Sequence, residues 1–229
     1  KDFGDVQRAL EALEQVYKDR GYTTVSVLLP EQALEGGEVL LQVIEGRIRS
    51  VKVDGHVFFD QANIRASLPA LKEGEVPIMD DLSASLRVAN EHPMKKLSVR
   101  LSPGDREDDL DAIVAVTDEK PWRVGATLDN TGTVQTGPHR VGLTWQNGNL
   151  FNRDHQLSLQ YMTSPEKVSD VSIYAASYRI PLYALGDSID LFTTYSDVNV
   201  GTISAGAVPL AVTGKGATFG ARYNRNLKR

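Results

Sequence analysis

Four histidines, His56, His92, His139 and His155, are the residues of this 229-residue chain that titrate near neutral pH. A bound metal needs three or four convergent ligands. None of the four has a second His, Asp or Glu at ligand spacing on one expected face, so all four read as surface or turn residues. Cysteine is absent, which excludes disulfides, thiolate catalysis and Cys-based zinc sites. Gly214-Lys215-Gly216-Ala217-Thr218 resembles a phosphate loop in composition. It lacks the full spacing of that motif and leads into a strand pattern, so it reads as a loop-to-strand transition. The acidic run Gly104-Asp105-Arg106-Glu107-Asp108-Asp109 has no calcium-loop spacing and no closing Glu, and reads as a solvated hairpin loop. Asp129-Asn130-Thr131-Gly132 stands at a strand end, where these residue types make turns. No nucleophile and base are brought together by the pattern. The sequence therefore carries no catalytic, cofactor or metal site, and an enzyme is the weakest reading.

The elements that carry these residues change character along the chain. Val6, Leu10, Leu13 and Val16-Tyr17 recur at helical spacing between Asp5 and Arg20, and Gly21 ends the helix. Strands follow at Thr23 to Leu29 and Val39 to Ile48, joined by a turn through Leu34-Glu35-Gly36-Gly37. The order then recurs with more in front of it. Ile48 to Val53 is a strand, Asp60 to Leu68 a short helix with Asp60 as N-cap, and Asp80 to Asn90 a longer helix. Lys96 to Leu101 and Leu110 to Val116 alternate as strands. This is β-α-α-β-β over Ile48 to Glu119. The first unit looks like the same module without its leading strand and first helix, an internal repeat.

After Pro121 the helical period disappears. Six alternating segments follow, beginning with Trp122, Val124, Ala126 and Leu128 against Arg123, Gly125, Thr127 and Asp129. The next are Val141 to Trp145, Leu157 to Tyr161, Val171 to Ile180, Ile189 to Leu191 (where Phe192 breaks the phase) and Ala217 to Tyr223. A segment of about ten residues is what a tilted strand needs to cross a bilayer. A soluble sandwich has the same alternation, so periodicity alone leaves barrel and sandwich level. The connections after odd strands are longer, the longest running from Asp197 to Gly216. If the chain enters from the periplasm, that asymmetry has the sign of a membrane barrel. Six strands do not close a barrel with a lumen, so the barrel is incomplete in this chain.

A three-stranded module of this kind offers a different chemistry, main-chain hydrogen bonding at a sheet edge. An extended peptide adds to such an edge, with side-chain pockets setting preference. The strand Lys96 to Leu101 beside the helix Asp60 to Leu68 is the candidate groove, with Leu97, Val99, Leu101, Ile64 and Leu68 as its residues. Filling of the module's core accounts for most of the same side-chain area, and the two roles are compatible.

Composition sets the outer limits. Apolar residues make up 41%, enough for sizeable cores, and the net charge of −5 argues against a nucleic-acid partner. No apolar run approaches the ~18–20 residues of a spanning helix, which leaves barrel strands open. Lys1 opens directly onto a helical pattern, so the chain reads as a piece of a longer precursor.

Several stretches in this order resemble one family. Gly21-Tyr22, Leu29-Pro30-Glu31-Gln32 and Val43-Ile44-Glu45-Gly46-Arg47-Ile48, then Val51-Lys52-Val53-Asp54-Gly55, look like the end of one POTRA module and the start of the next. Leu68-Pro69-Ala70-Leu71, Ala89-Asn90-Glu91-His92-Pro93 and Leu101-Ser102-Pro103-Gly104 resemble the second module. Pro121-Trp122, Asp129-Asn130-Thr131-Gly132 and Thr136-Gly137-Pro138-His139-Arg140 resemble the entry into a barrel. Asn149-Leu150-Phe151-Asn152-Arg153-Asp154 and Tyr178-Arg179-Ile180-Pro181-Leu182-Tyr183 resemble its first periplasmic turn and fourth strand. The form is that of the TpsB transporters of two-partner secretion, within the Omp85 superfamily. The resemblance implies α+β POTRA modules followed by an antiparallel transmembrane β-barrel. The boundaries are a partial first POTRA domain at 1–47, a second at 48–120, and barrel strands at 121–229. It implies an outer-membrane location with POTRA domains in the periplasm, no cofactor, and contact with outer-membrane lipid. The implied partner is a large exported TpsA-like protein, whose secretion domain the POTRA domains bind and which the barrel conducts outward without ATP. Two other readings stand beside it: an assembly factor of the same superfamily, and a soluble β-sandwich adhesin or interaction module. Open strand edges also allow copies of the chain to pair.

Overall fold

The computed structural model of the chain describes residues 3–32, 38–106, 108–134, 136–197, 201–205, 208–212 and 214–226, with backbone alone in 201–212. Two compact units result: 1–56 with 64–91 and 96–117, and 57–63 with 92–95 and 118–229.

In the first unit, helix α1 (Phe3–Asp19) presents Leu10, Leu13 and Tyr17 along one half-buried stripe. Gly21 ends it at φ +84°, and the Gly21 and Tyr22 amides close on the Lys18 and Tyr17 carbonyls. Strands β1 (Val25–Leu28) and β2 (Gln42–Glu45) pair antiparallel, Val25 opposite Glu45. The Glu14 carboxylate reaches across to accept the Val27 amide at 3.2 Å. The run expected as one strand from Val39 to Ile48 is broken at Gly46. A Cβ there would lie 2.8 Å from the Thr24 carbonyl oxygen, so close backbone approach ends β2.

Next come β3 (Arg47–Asp54), α2 (Gln61–Ala66), α3 (Met79–Ala89), β4 (Lys95–Pro103) and β5 (Asp109–Asp118). The sheet order is β3-β5-β4, with β3 parallel to β5. The Asp60 carboxylate accepts the Asn63 amide at 2.7 Å, the N-cap expected for α2. Ile48, Ile64, Leu68, Leu82, Ala89, Leu97, Ala112 and Val114 are buried core. The order β-α-α-β-β is the one read from the periodicity.

The second unit is dominated by an antiparallel sheet. Its strands are β6 (Trp122–Asp129), β7 (Arg140–Leu150), β8 (His155–Thr163), β9 (Ser172–Leu182) and β10 (Asp187–Asp197), then β13 (Lys215–Asn224). They lie in the order β13-β10-β9-β8-β7-β6. The long connection after β10 holds a separate hairpin, β11 (Gly201–Ala205) with β12 (Val208–Val212), where the sequence reading expected only a loop. Its Thr, Ile and Val residues favour strand, but the Gly and Ala between them blur the alternation. The antiparallel order puts the β7–β8 and β9–β10 connections at one end of the sheet, and the β6–β7, β8–β9 and β10–β13 connections at the other. Among the described residues no helix is long and apolar enough to cross a membrane, which says nothing of the strands.

Candidate functional site

Strand β4 is an outer strand of its sheet. Asn90, the C-cap residue of α3, folds its side chain back onto it. Asn90 Nδ2 donates to the Leu97 carbonyl at 2.9 Å, and Asn90 Oδ1 accepts the Leu97 amide at 2.7 Å. Both main-chain groups of Leu97 therefore point away from β5. Main-chain direction alternates along a strand, so those of Val99 and Leu101 point outward too. That is the arrangement an added strand requires.

The side chains divide differently from the expectation. Ile64 and Leu68 are 0% and 1% exposed, and Leu97 is 5% exposed. These three are core and present no surface to a partner, because apolar residues on inward faces are packed away from water. Val99 and Leu101 are half-buried. What β4 exposes is main chain with two partly accessible side chains, not an apolar groove between strand and helix.

The second unit's sheet has two unlike faces. Cross-strand partners place Val124 opposite Trp145, Trp145 opposite Leu159, and Leu159 opposite Ala176. Ala176 lies opposite Thr193 and Thr193 opposite Phe219. One row along, Leu143, Tyr161, Tyr174 and Tyr195 succeed one another across four strands. The three tyrosine rings follow at centroid distances of 4.9 and 6.5 Å. On this face Leu128 is 73% exposed and Phe219 85%. Leu159 and Tyr174 on the same face are 42% and 52% exposed, whereas the facing sheet of a sandwich would bury them. A bare apolar sheet face with a row of aromatics is the outer surface of a membrane barrel.

The opposite face carries Arg123, Gln146, Gln156, Ser158, Arg179, Asp190, Thr218 and Arg222. Asn224 Nδ2 donates to Asp190 at 2.7 Å, and Arg179 Nε lies 3.7 Å from the same carboxylate. Phe192, which broke the sequence phase, sits on this polar face directly opposite Gly220. A Cβ on Gly220 would come within 2.5 Å of the Phe192 ring. The ring covers the glycine, a known way to protect a strand gap.

A buried polar cluster in the second unit went unread in the sequence. Lys95 Nζ donates to Asp154 at 2.5 Å, and both side chains are fully buried. Lys95 also donates to Asn63 Oδ1 at 2.8 Å and lies 5.2 Å from the centre of the Phe59 ring. Asn63 Nδ2 donates to Asp154 Oδ1 at 2.9 Å, and the Tyr183 hydroxyl donates to Asp154 Oδ2 at 2.6 Å. Asn152 Nδ2 donates to Asp60 at 2.5 Å. Burial pushes the Lys95 ammonium below the ordinary lysine range, and Asp154 opposes that shift. One signal was available: Lys95 is in phase with Leu97 in β4, so a lysine stands on the inward face.

His92 belongs to the same unit and corrects the surface reading, being 3% exposed. Its Nδ1 accepts the Met94 amide at 3.2 Å, which leaves Nε2–H to donate to the Gly148 carbonyl at 2.7 Å. His155 is half-buried, with Nδ1 2.5 Å from the Tyr178 hydroxyl. His139 pairs with Glu166 at 2.5 Å, and Ser164 donates to the other carboxylate oxygen at 2.8 Å. The Glu166 carboxyl is held down at about 2 by these bonds, that to His139 first. Asp129 accepts both the amide and the hydroxyl of Thr131, a turn. Gly214 has φ +72° and leads straight into β13. In the acidic run Asp105 pairs with Arg49, and Glu107 lies outside the described residues. Among the described residues no group of acidic or His side chains fits a metal.

Comparison with known proteins agrees with this architecture. Residues 1–46 match the ShlB-type POTRA domain, and residues 111–229 match the haemolysin secretion/activation proteins ShlB/FhaC/HecB. The chain is 33% identical over 132 residues to the outer membrane transporter CdiB-2 of Burkholderia pseudomallei, covering 58% of this chain and 22% of that protein. It is 29% identical over 187 residues to the outer membrane transporter CdiB of Escherichia coli, covering 77% of this chain and 30% of that protein. It thus spans less than a third of either relative's length. The solved structure of Escherichia coli CdiB superposes with a TM-score of 0.68 at 22% identity, covering 91% of this chain and 38% of that one. The chain belongs to the haemolysin secretion/activation protein family ShlB/FhaC/HecB, a family of outer-membrane secretion proteins and not of enzymes, and carries POTRA architecture followed by the strands of an unclosed barrel.

Proposed function

We propose that the full-length protein is the outer-membrane pore of a two-partner secretion system. The observation that carries this is the family match over 111–229, on a sheet that is apolar on one face and polar on the other. In this reading the partial first POTRA domain is 1–47, the second 48–120, and 121–229 are barrel strands. The short connections 151–154 and 183–186 are periplasmic, and the longer ones face outward. The apolar face meets outer-membrane lipid, and the polar face lines the conduit.

The cargo is a large exported TpsA-like protein. Its secretion domain adds an extended segment to β4, using the outward main chain of Val99 and Leu101, with their half-buried side chains setting preference. Transport takes place without ATP. Cut off from further strands, the outer edges of β6 and β13 pair between copies.

The test is deletion of the full-length protein from its native host, followed by fractionation of the large β-helical exported proteins. Retention of one of them in the periplasm, reversed by restoring the transporter, supports the reading. Unchanged export, with defects in the insertion of unrelated barrels, would replace it with an assembly role.

A further inference from the structure

The connection 151–154 between β7 and β8 is built from costly backbone. Phe151, Asn152 and Asp154 have φ of 59°, 58° and 58°, and none is glycine. The Arg153 amide bonds back to the Leu150 carbonyl at 3.3 Å, so Phe151 and Asn152 are the central pair of a tight turn with left-handed backbone at both positions. Asn and Asp tolerate that region; Phe does not. Such strain persists only where the surroundings over-determine it, and it gathers at switches and clamps.

The surroundings are the buried cluster. Asp154 receives Lys95 and Tyr183 on Oδ2 and Asn63 on Oδ1. Its own amide donates to Asn149 Oδ1 at 3.1 Å, and Asn149 Nδ2 donates to Asn152 Oδ1 at 3.2 Å. These three donors all come from outside the turn. Segments 57–63 and 92–95, in which Asn63 and Lys95 lie, belong to the same compact unit. A buried ion pair is a poor choice for static stability, since apolar side chains of similar volume serve as well or better. The best-attested use of such a pair is to fix a register or to serve as a switch.

We infer that the β7–β8 turn has two positions, and that the Lys95–Asp154 pair is the latch that holds it in the strained one. With the latch closed, segments 57–63 and 92–95 are fixed to the first hairpin of the barrel sheet. With it open, Phe151 and Asn152 relax out of the left-handed region and the ends of β7 and β8 gain freedom.

Two substitutions in the full-length membrane protein push the equilibrium in opposite directions. Asp154→Asn keeps the shape but offers one oxygen where three donors converge, which weakens the latch. Phe151→Gly removes the left-handed strain that the latch works against, because glycine adopts φ near 59° without cost. The readout is amide hydrogen exchange in the peptide 149–155, with heat-modifiable gel mobility as the check on barrel folding. The latch predicts exchange about ten-fold or more faster in Asp154→Asn and slower than native in Phe151→Gly. Exchange that is native-like in both, or faster in both, would make the cluster a static part of the core and overturn the inference. If Asp154→Asn fails to fold, Phe151→Gly decides alone: slower exchange supports the latch, native or faster exchange removes it.

Discussion

The side chain of Asn90 takes both main-chain groups of Leu97, standing where the next strand of the sheet would stand. It closes the edge of β4 at one residue and leaves the outward groups of Val99 and Leu101 beyond it. This narrows the edge proposed for a partner to the main chain of Val99 and Leu101. It also separates two substitutions that look equivalent in sequence. Val99→Pro removes an amide that the sheet itself does not use, so the module should keep its fold. Leu97→Asp places a charge in the core and should unfold it. Calorimetric titration of the partner's secretion domain against Val99→Pro should show at least about ten-fold weaker binding, with circular dichroism unchanged. Unaltered affinity in the folded variant would remove this edge from the account.

The glycine of Asp129-Asn130-Thr131-Gly132 has a packing reason. A Cβ on Gly132 would lie 2.0 Å from the Gly137 carbonyl oxygen and 2.5 Å from Arg140 Nη1. Arg140 is buried, its guanidinium held by the carbonyls of Thr136, Gly137 and His139. Backbone cannot step aside cheaply, so Gly132→Ala should cost about 1–3 kcal/mol. Thermal unfolding of the full-length barrel in detergent measures it, and a native midpoint would show that this loop repacks freely.

Glu166 supplies the pH dependence. Its carboxyl is lowered from 4.5 to about 2 by bonds from His139 and Ser164, so the folded loop favours the ionised form. That contribution is complete above pH 4.5 and is lost as pH falls through about 2. Carboxyl carbon shifts should titrate with a midpoint near 2 in the native protein. In His139→Ala the midpoint should move up toward 4.5. A native midpoint near 4.5 would mean that the loops are not joined there in solution.

The two faces of β8 predict unequal tolerance of charge. Leu159→Arg puts a cation on the apolar face and should cost about 2–4 kcal/mol in a bilayer. Ser158→Arg, one residue away on the polar face, should be nearly neutral. Urea unfolding from lipid vesicles compares them directly, and equal costs would contradict the assignment of faces.

What sequence could reach follows from period. Alternation in β4, β5 and the barrel strands is local, so those elements were legible, as was Asp60 at the start of α2. Helical spacing likewise located α1 and α3. Side-chain burial depends on what packs against a strand, which period does not state. Ile64 and Leu68 were therefore offered as groove residues when they are core. Lys95 was passed over although its phase with Leu97 put it inside. Its partner Asp154 is 59 residues away in sequence, and no local pattern connects them. His92 was misread for the same reason: the carbonyl it meets belongs to Gly148. The hairpin β11–β12 was missed because Gly and Ala interrupt its alternation.

The most direct test of the account is which solvent each face of β8 meets in the membrane. The chain has no cysteine, so a single one introduced at position 158 or 159 of the full-length protein reports on that site alone within this region. Outer membranes are treated with a water-soluble maleimide, and a lipid-borne nitroxide quenches a fluorophore attached under denaturing conditions before refolding. The account predicts aqueous labelling at 158 without quenching, and quenching at 159 without aqueous labelling. Aqueous labelling at both positions would mean that the sheet does not lie in a bilayer, and the reading of this chain as part of a secretion pore would fall with it.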